Sequence, residues 1–221
     1  MSGVDGLSDR LRRVFCQPSV YGTTVVALIP VGNQNIQLLL LQAEADSWRI
    51  VQSVREPLSI LAPDRKTFAG DFRDAFADAA SLRLAQLGWT DWPRVLVIPD
   101  TEAVSYVMSL PAGMELAERT EAAYWELEAR LSEQGIEIGQ CCTAGAVLPT
   151  TGDFWIAAVQ QEDIQLWQQP FIEAEIPLRD FVMMAPMVSD LSVDGRIPGP
   201  GFCSLLQANS VDKGCCWDYR A

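Results

Sequence analysis

The sequence predicts an α/β chain with mixed sheets, and three observations carry that prediction. Apolar residues alternate with a period of two in several short runs bounded by turn residues. Two longer stretches instead repeat apolar residues at helical spacing. The two patterns follow one another as three strands and a helix, then two strands, a helix, two strands and a shorter helix.

Taken in order, residues 7–15 place Leu7, Leu11, Val14 and Phe15 on one side of a short amphipathic helix. Strands are expected over Thr24–Val31, Ile36–Gln42 and Trp48–Arg55. The first turn is Gly32-Asn33-Gln34-Asn35 and the second lies at residues 44–47. A Pro-containing loop over 57–66 leads to a helix from Thr67 to Leu87. Its buried stripe is Phe68, Phe72, Ala75, Phe76, Ala79 and Leu82, and Gly88 stops it. Asp71, Asp74 and Asp78 fall on the opposite, solvent side. A strand at Arg94–Ile98 turns at Pro99-Asp100 into a second at residues 102–110, where Val104, Tyr106, Met108 and Leu110 share a face. A helix over 115–133 turns Leu116, Thr120, Ala123, Tyr124, Leu127 and Leu131 inward, with Glu115–Arg119 and Glu126–Arg130 as i,i+4 pairs. Strands at 141–148 and 154–159, a helix from 161 to about 169 and a short strand at 181–184 complete the pattern.

The organisation expected from this reading has four parts: an N-terminal amphipathic segment over 1–23, a β-β-β-α subdomain over 24–93, a second α/β subdomain over 94–180, and a remainder over 181–221. Residues 190–221 are rich in Gly and Pro without apolar periodicity. They read as a poorly ordered tail dispensable for folding, or as the remnant of a lost second lobe.

Composition narrows the chemistry. Hydrophobic residues make up 49% of the 221, ample for a packed core. No apolar run approaches the roughly 20 residues of a membrane helix, and no secretory leader is visible. The expectation is a cytoplasmic protein without direct membrane insertion, any membrane association coming through a partner. A net charge of −13 argues against nucleic acid. Residues 112–180 hold 13 acids against 3 bases, a surface that serves solubility or a basic partner. The chain has no histidine, which removes His-based triads and most catalytic zinc sites. The adjacent pair Cys141-Cys142 points to opposite faces of a strand and chelates a metal poorly, so no metal is expected.

Three stretches in this order resemble the first lobe of the actin-like, ribonuclease-H-like fold of the PilM family and of the cytoplasmic region of GspL. Val25–Leu41, VVALIPVGNQNIQLLLL, resembles the family's phosphate hairpin. Arg94–Pro111, RVLVIPDTEAVSYVMSLP, resembles its strand, Pro-Asp turn, strand and terminal Leu-Pro. Glu121–Leu131, EAAYWELEARL, resembles its Trp-Glu helix, and Trp155–Val159, WIAAV, its next strand. The match runs over residues 24–180. The resemblance implies a first lobe carrying an inserted small α/β subdomain, with the second ATPase lobe absent, since about 35 residues after the last recognisable strand cannot build another. Aligned on the hairpin, Gly32 falls on the turn glycine and Pro30 on the position of the metal-organising acid. Proline brings neither a carboxylate nor an N–H. The turn Gly32, Asn33, Gln34 and Asn35 keeps backbone amides that an anion could use, or is a conformational turn only. No enzymatic activity and no cofactor are therefore expected.

The resemblance further implies a non-catalytic scaffold of the inner-membrane platform of a type IV pilus machine. Its partner would be the cytoplasmic tail of a PilN-type bitopic membrane protein, with the pilus motor ATPase as a possible second contact. On the 115–133 helix Trp125 lies off the apolar stripe, flanked by Ala122 and Ala129. It is either a docking anchor or a filler of the seam against the other subdomain. A type II secretion component of the GspL kind, a degenerate actin-like nucleotide-binding protein, and a regulatory or oligomerisation module unrelated to pili are the competing readings.

Overall fold

A computed structural model describes residues 24–32, 34–44, 47–58, 69–111, 113–148, 151–184, 196–198 and 202–207. The expected amphipathic segment over 1–23, Phe68, Asn33 and most of the 57–66 loop lie outside these residues.

The chain opens with an antiparallel meander, β1 (Thr24–Val31), β2 (Asn35–Glu44) and β3 (Ser47–Pro57). The β2–β3 register shifts between Leu40 and Leu41, and the extra residue, Val51, is exposed. Helix α1 (Ala69–Leu87) follows, then β4 (Arg94–Val97), which pairs parallel with β1. Gly88 closes α1 in the left-handed region (φ 68°), and the Trp89 N–H reaches back to the Leu84 carbonyl at 2.9 Å. An excursion then builds a second sheet from β5 (Ala103–Met108), α2 (Leu116–Glu133), β6 (Cys141–Val147) and β7 (Phe154–Gln160). Helix α3 (Gln161–Glu173) returns the chain to β8 (Asp180–Met184), parallel to β4.

Three shorter strands follow: β9 (Arg196–Pro198), β10 (Phe202–Ser204) and β11 (Leu206–Gln207). The large sheet runs β10-β8-β4-β1-β2-β3-β9, and the small one β11-β6-β7-β5. The central order β3-β2-β1-β4-β8, with only β2 antiparallel to the rest, is that of the actin-like, ribonuclease-H-like fold, and the small sheet is its insertion.

Three expectations need correcting. The strand at 94–97 belongs to the large sheet, so the inserted subdomain begins after β4 rather than at residue 94. Leu82 is exposed, and Ala80 and Leu84 are buried instead. The residues α1 buries between Phe72 and Leu84 centre on the Phe76 side of the helix, which turns Leu82 away. The region read as a dispensable tail supplies three strands. Ile197 is fully buried against β3, and Leu205 is buried where its N–H meets the Phe181 carbonyl at 3.0 Å. Short strands of two or three residues carry too little alternation to register as periodicity.

The two faces of the large sheet are covered differently. On one, Val26, Leu28, Ile36, Leu38, Leu40, Leu96 and Met183 pack with α1, α3 and the inner face of the small sheet. On the other, the described members of the core are Val25, Ala27, Ile29, Leu39, Leu41, Trp48, Ile50, Val95, Val97, Val182 and Ile197, all from the sheet itself. The sheet cannot be flat. Strands β9 and β10 stand at its opposite ends, about 29 Å apart at ordinary strand spacing. Only three residues lie between Pro198 and Phe202, a span of four Cα–Cα steps and a reach of at most about 14 Å. The sheet therefore curls until its edges approach, and the second face becomes its concave interior.

Candidate functional site

In an open α/β sheet, ligands gather where the parallel strands end. Here those ends are the β1–β2 turn and the short helical turn Asp100–Glu102 after β4. Gly32 adopts φ 56°, and a side chain there would meet open space, so the glycine answers a backbone conformation rather than a close approach. Gln34 is exposed, and its carbonyl accepts the Leu58 N–H at 2.7 Å, which ties the turn to the end of β3. Asn35 already pairs with Pro57 in the ladder. Pro30 is buried in β1 opposite Ile36, beyond the last residue that β4 pairs, so its missing N–H costs no hydrogen bond on that side. The position matched to the metal-organising acid is thus held by an apolar ring.

The carboxylates near this crest come from the 100–102 turn, which the sequence reading treated as a turn only. Burial raises the Asp100 carboxyl above its usual range. Glu102 is engaged: it accepts from Arg73 of α1 at 3.0 Å and from the indole N–H of Trp167 of α3 at 2.5 Å. The Arg73 guanidinium lies 5.4 Å from the Trp167 ring, and Phe72 and Phe76 meet that ring edge-on. These contacts hold both helices at the root of the insertion. Among the described residues no three metal-ligating side chains converge. Asp74 and Asp78 are exposed on the outer side of α1, as expected.

Helix α2 covers the outer face of the small sheet. Ala123, Leu127 and Leu131 are buried with Cys141, Phe154 and Ile156, and the partly buried Val104, Tyr106, Met108 and Leu110 join them from β5. Cys142 faces the other core, so the two adjacent thiols do point apart. Glu115 and Glu118 form a capping box at the start of α2. Arg119 donates to the Met114 and Gly152 carbonyls, in place of the expected pairing with Glu115. Glu126 and Arg130 do pair, at 2.7 Å. Trp125 stands on the outer side and is 62% exposed, with Ala129 exposed and Ala122 half-buried beside it. It does not fill a seam between subdomains.

Among the described residues, strand β5 is the outer edge of the small sheet and pairs only with β7, over six consecutive residues from Ala103 to Met108. Ser105 and Val107 point away from α2 and are exposed, Val107 at 50%. On the α2 side, Arg130 lies over Tyr106 at 4.4 Å. A groove of about 220 Å³ lies elsewhere, at the end of α3, between Phe171, Ile172, Ile176 and Leu178.

These features define an actin-like α/β domain with an inserted four-stranded subdomain, whose phosphate-hairpin position carries no acid. No family model matches the sequence, and no curated protein matches it. Among solved structures it is similar to the cytoplasmic domain of EpsL, an inner-membrane component of the type II secretion system of Vibrio cholerae, with 7% identity over 72% of this chain and 56% of that one, at a TM-score of 0.40. It is similar to a chain of the PilM–PilN type IV pilus biogenesis complex at 18% identity, covering 69% of this chain and 45% of that one, with a TM-score of 0.45. A Bacteroides thetaiotaomicron protein of actin-like ATPase fold and unknown function shows 6% identity over 70% and 51%, at 0.31. The chain thus spans about half the length of the structures it matches.

Proposed function

We propose that this domain is a non-catalytic docking module of an inner-membrane assembly platform, serving a type IV pilus or type II secretion machine. Its ligand in that role is the cytoplasmic tail of a PilN-type membrane protein, which would bring the domain to the inner membrane. No helix of the described residues is long and apolar enough to cross a membrane itself. The observation that carries the reading is Trp125, a large aromatic left exposed between two alanines on a helix whose other side is already packed. The sequence resemblance to the PilM family supplies the kind of partner. Pro30 at the acid's position and the self-bonded β1–β2 turn speak against metal-dependent nucleotide chemistry.

Two measurements test this. Calorimetry with magnesium-ATP should show no stoichiometric binding in the micromolar range, and such binding would defeat the non-catalytic assignment. Co-expression with the PilN-type protein of the same genome should give a complex that Trp125→Ala weakens by about 2 kcal/mol or more. An unchanged complex with the variant removes Trp125 from the interface, and no complex with the wild-type chain removes the partner.

A further inference from the structure

Strand edges expose unpaired N–H and C=O groups, and proteins ordinarily blunt them with lysine, proline, a bulge or extreme shortness. The strands β9, β10 and β11 use shortness, at three, three and two residues. Strand β5 uses none of these devices. It has six residues, AVSYVM, with no charge and no proline, and its register with β7 runs unbroken from Ala103↔Val159 to Met108↔Phe154. Alternate residues must direct their backbone groups outward.

Both faces beside this edge are partly open. Ser105 and Val107 are exposed on one side. On the other, Val104, Tyr106 and Met108 are only half-buried, since α2 sits chiefly over β7. The Tyr106 hydroxyl is enclosed yet has no hydrogen-bond partner among the described residues. Around it stand Glu126, Glu133 and Arg130, whose charges all act on the phenol. Helical spacing puts Ala122, Glu126, Ala129 and Glu133 along the side of α2 that overhangs the edge. A strand added at β5 would lie beneath small side chains and carboxylates.

We infer that the outer edge of β5 is a docking strand for an extended segment of another protein, about six residues long, alternating apolar side chains with lysine or arginine. The basic side chains would face α2, where Glu126 and Glu133 outnumber Arg130, and the apolar set would extend the exposed Val107 face. A second copy of this chain suits the edge poorly. Antiparallel pairing of two β5 strands would bring the Glu126 and Glu133 groups of both copies together in a chain of net charge −13. The inference rests on the reading of the domain as a docking module and adds the place and the chemistry of the ligand.

The test uses a ten-residue peptide alternating valine and lysine, with a valine–glutamate peptide as control. The lysine peptide should bind with an affinity that falls as salt rises, and should slow amide exchange over 103–108 by about tenfold or more. Val107→Lys is tolerated by the fold at a half-exposed position and should weaken binding by about tenfold. Val51→Lys, on an exposed bulge of the other sheet, should leave binding unchanged. Protection confined to other segments, equal binding of the glutamate peptide, indifference to Val107→Lys, or peptide-free, concentration-dependent protection of β5 each overturns the proposal. A PilN-type complex that survives Val107→Lys while the peptide is lost separates this site from the scaffold reading. Peptide binding at β5 without any such complex defeats the scaffold reading and keeps the site.

Discussion

The two faces of the large sheet solve one problem in different ways. The convex face is covered by regular elements: α1 and α3 lie on it, and Phe72, Phe76, Trp167 and Phe171 form an aromatic cluster between them. The concave face draws its described core from the sheet's own strands, with Trp48 at 1% exposure as its largest side chain. The first needs long amphipathic helices. The second needs curvature and two closing strands, a global property that depends on residues 196–204. A local sequence feature announces the first arrangement and none announces the second.

The largest expected effect comes from removing those strands. Ending the chain at Ser189 deletes Ile197 and Leu205 from the two cores and leaves β3 and β8 as bare edges. The truncated protein should lose its cooperative melt or become insoluble. A thermal midpoint within a few degrees of wild type would show that the concave face closes without β9 and β10.

Next, Trp48→Ala and Trp167→Ala compare the faces directly, since both indoles are almost fully buried. Each should cost about 3–5 kcal/mol in chemical denaturation. The two should differ in their partners. Loss of Trp167 also removes an N–H from Glu102, so Glu102→Gln in that background should cost less than in wild type. Strict additivity of the two changes would separate the indole from the carboxylate.

A smaller effect should appear with pH. Burial, aided by Cys141 and Asp180, pushes the Cys142 thiol up to about 11. The folded state holds this proton more tightly than the unfolded chain, so its contribution is intact below the ordinary thiol range and declines as pH rises from about 9 to 11. Denaturation midpoints over that window should fall less in Cys142→Ala than in wild type, and iodoacetamide should label Cys142 only after unfolding. Rapid labelling of the native protein at pH 8 would contradict its place in the convex core.

The smallest effect belongs to Trp125, which lies on neither face of the large sheet. Trp125→Ala should change stability by less than about 0.5 kcal/mol, because the indole is mostly in water already. A cost of several kcal/mol would place it in a core and remove the exposed aromatic on which docking is argued.

How much of this was legible in the sequence depended on the range of the signal. Period-two and period-3.6 patterns located β1 through β8 and the three helices of the described residues. The same periodicity placed Trp125 off the buried stripe of α2, where the structure leaves it exposed. It also predicted that Cys141 and Cys142 face different cores. It failed at Leu82, since a stripe read from a few large residues misjudges its centre when alanines do much of the packing. It missed β9–β11, whose two or three residues are too short for any period.

The sequence by itself determined β1 through β8, the described helices, their order and the absence of histidine chemistry, because each is a property of residue type or of neighbouring residues. Only the tertiary structure decided which strand ends unpaired, where Glu102 goes and how the concave face closes. Alternation tells a strand which side faces a core, but its neighbours can lie far along the chain, as Trp48 and Ile197 do, 149 residues apart. So β5 reads as one more amphipathic strand in the sequence, and becomes an open edge only when the sheet is assembled around β7.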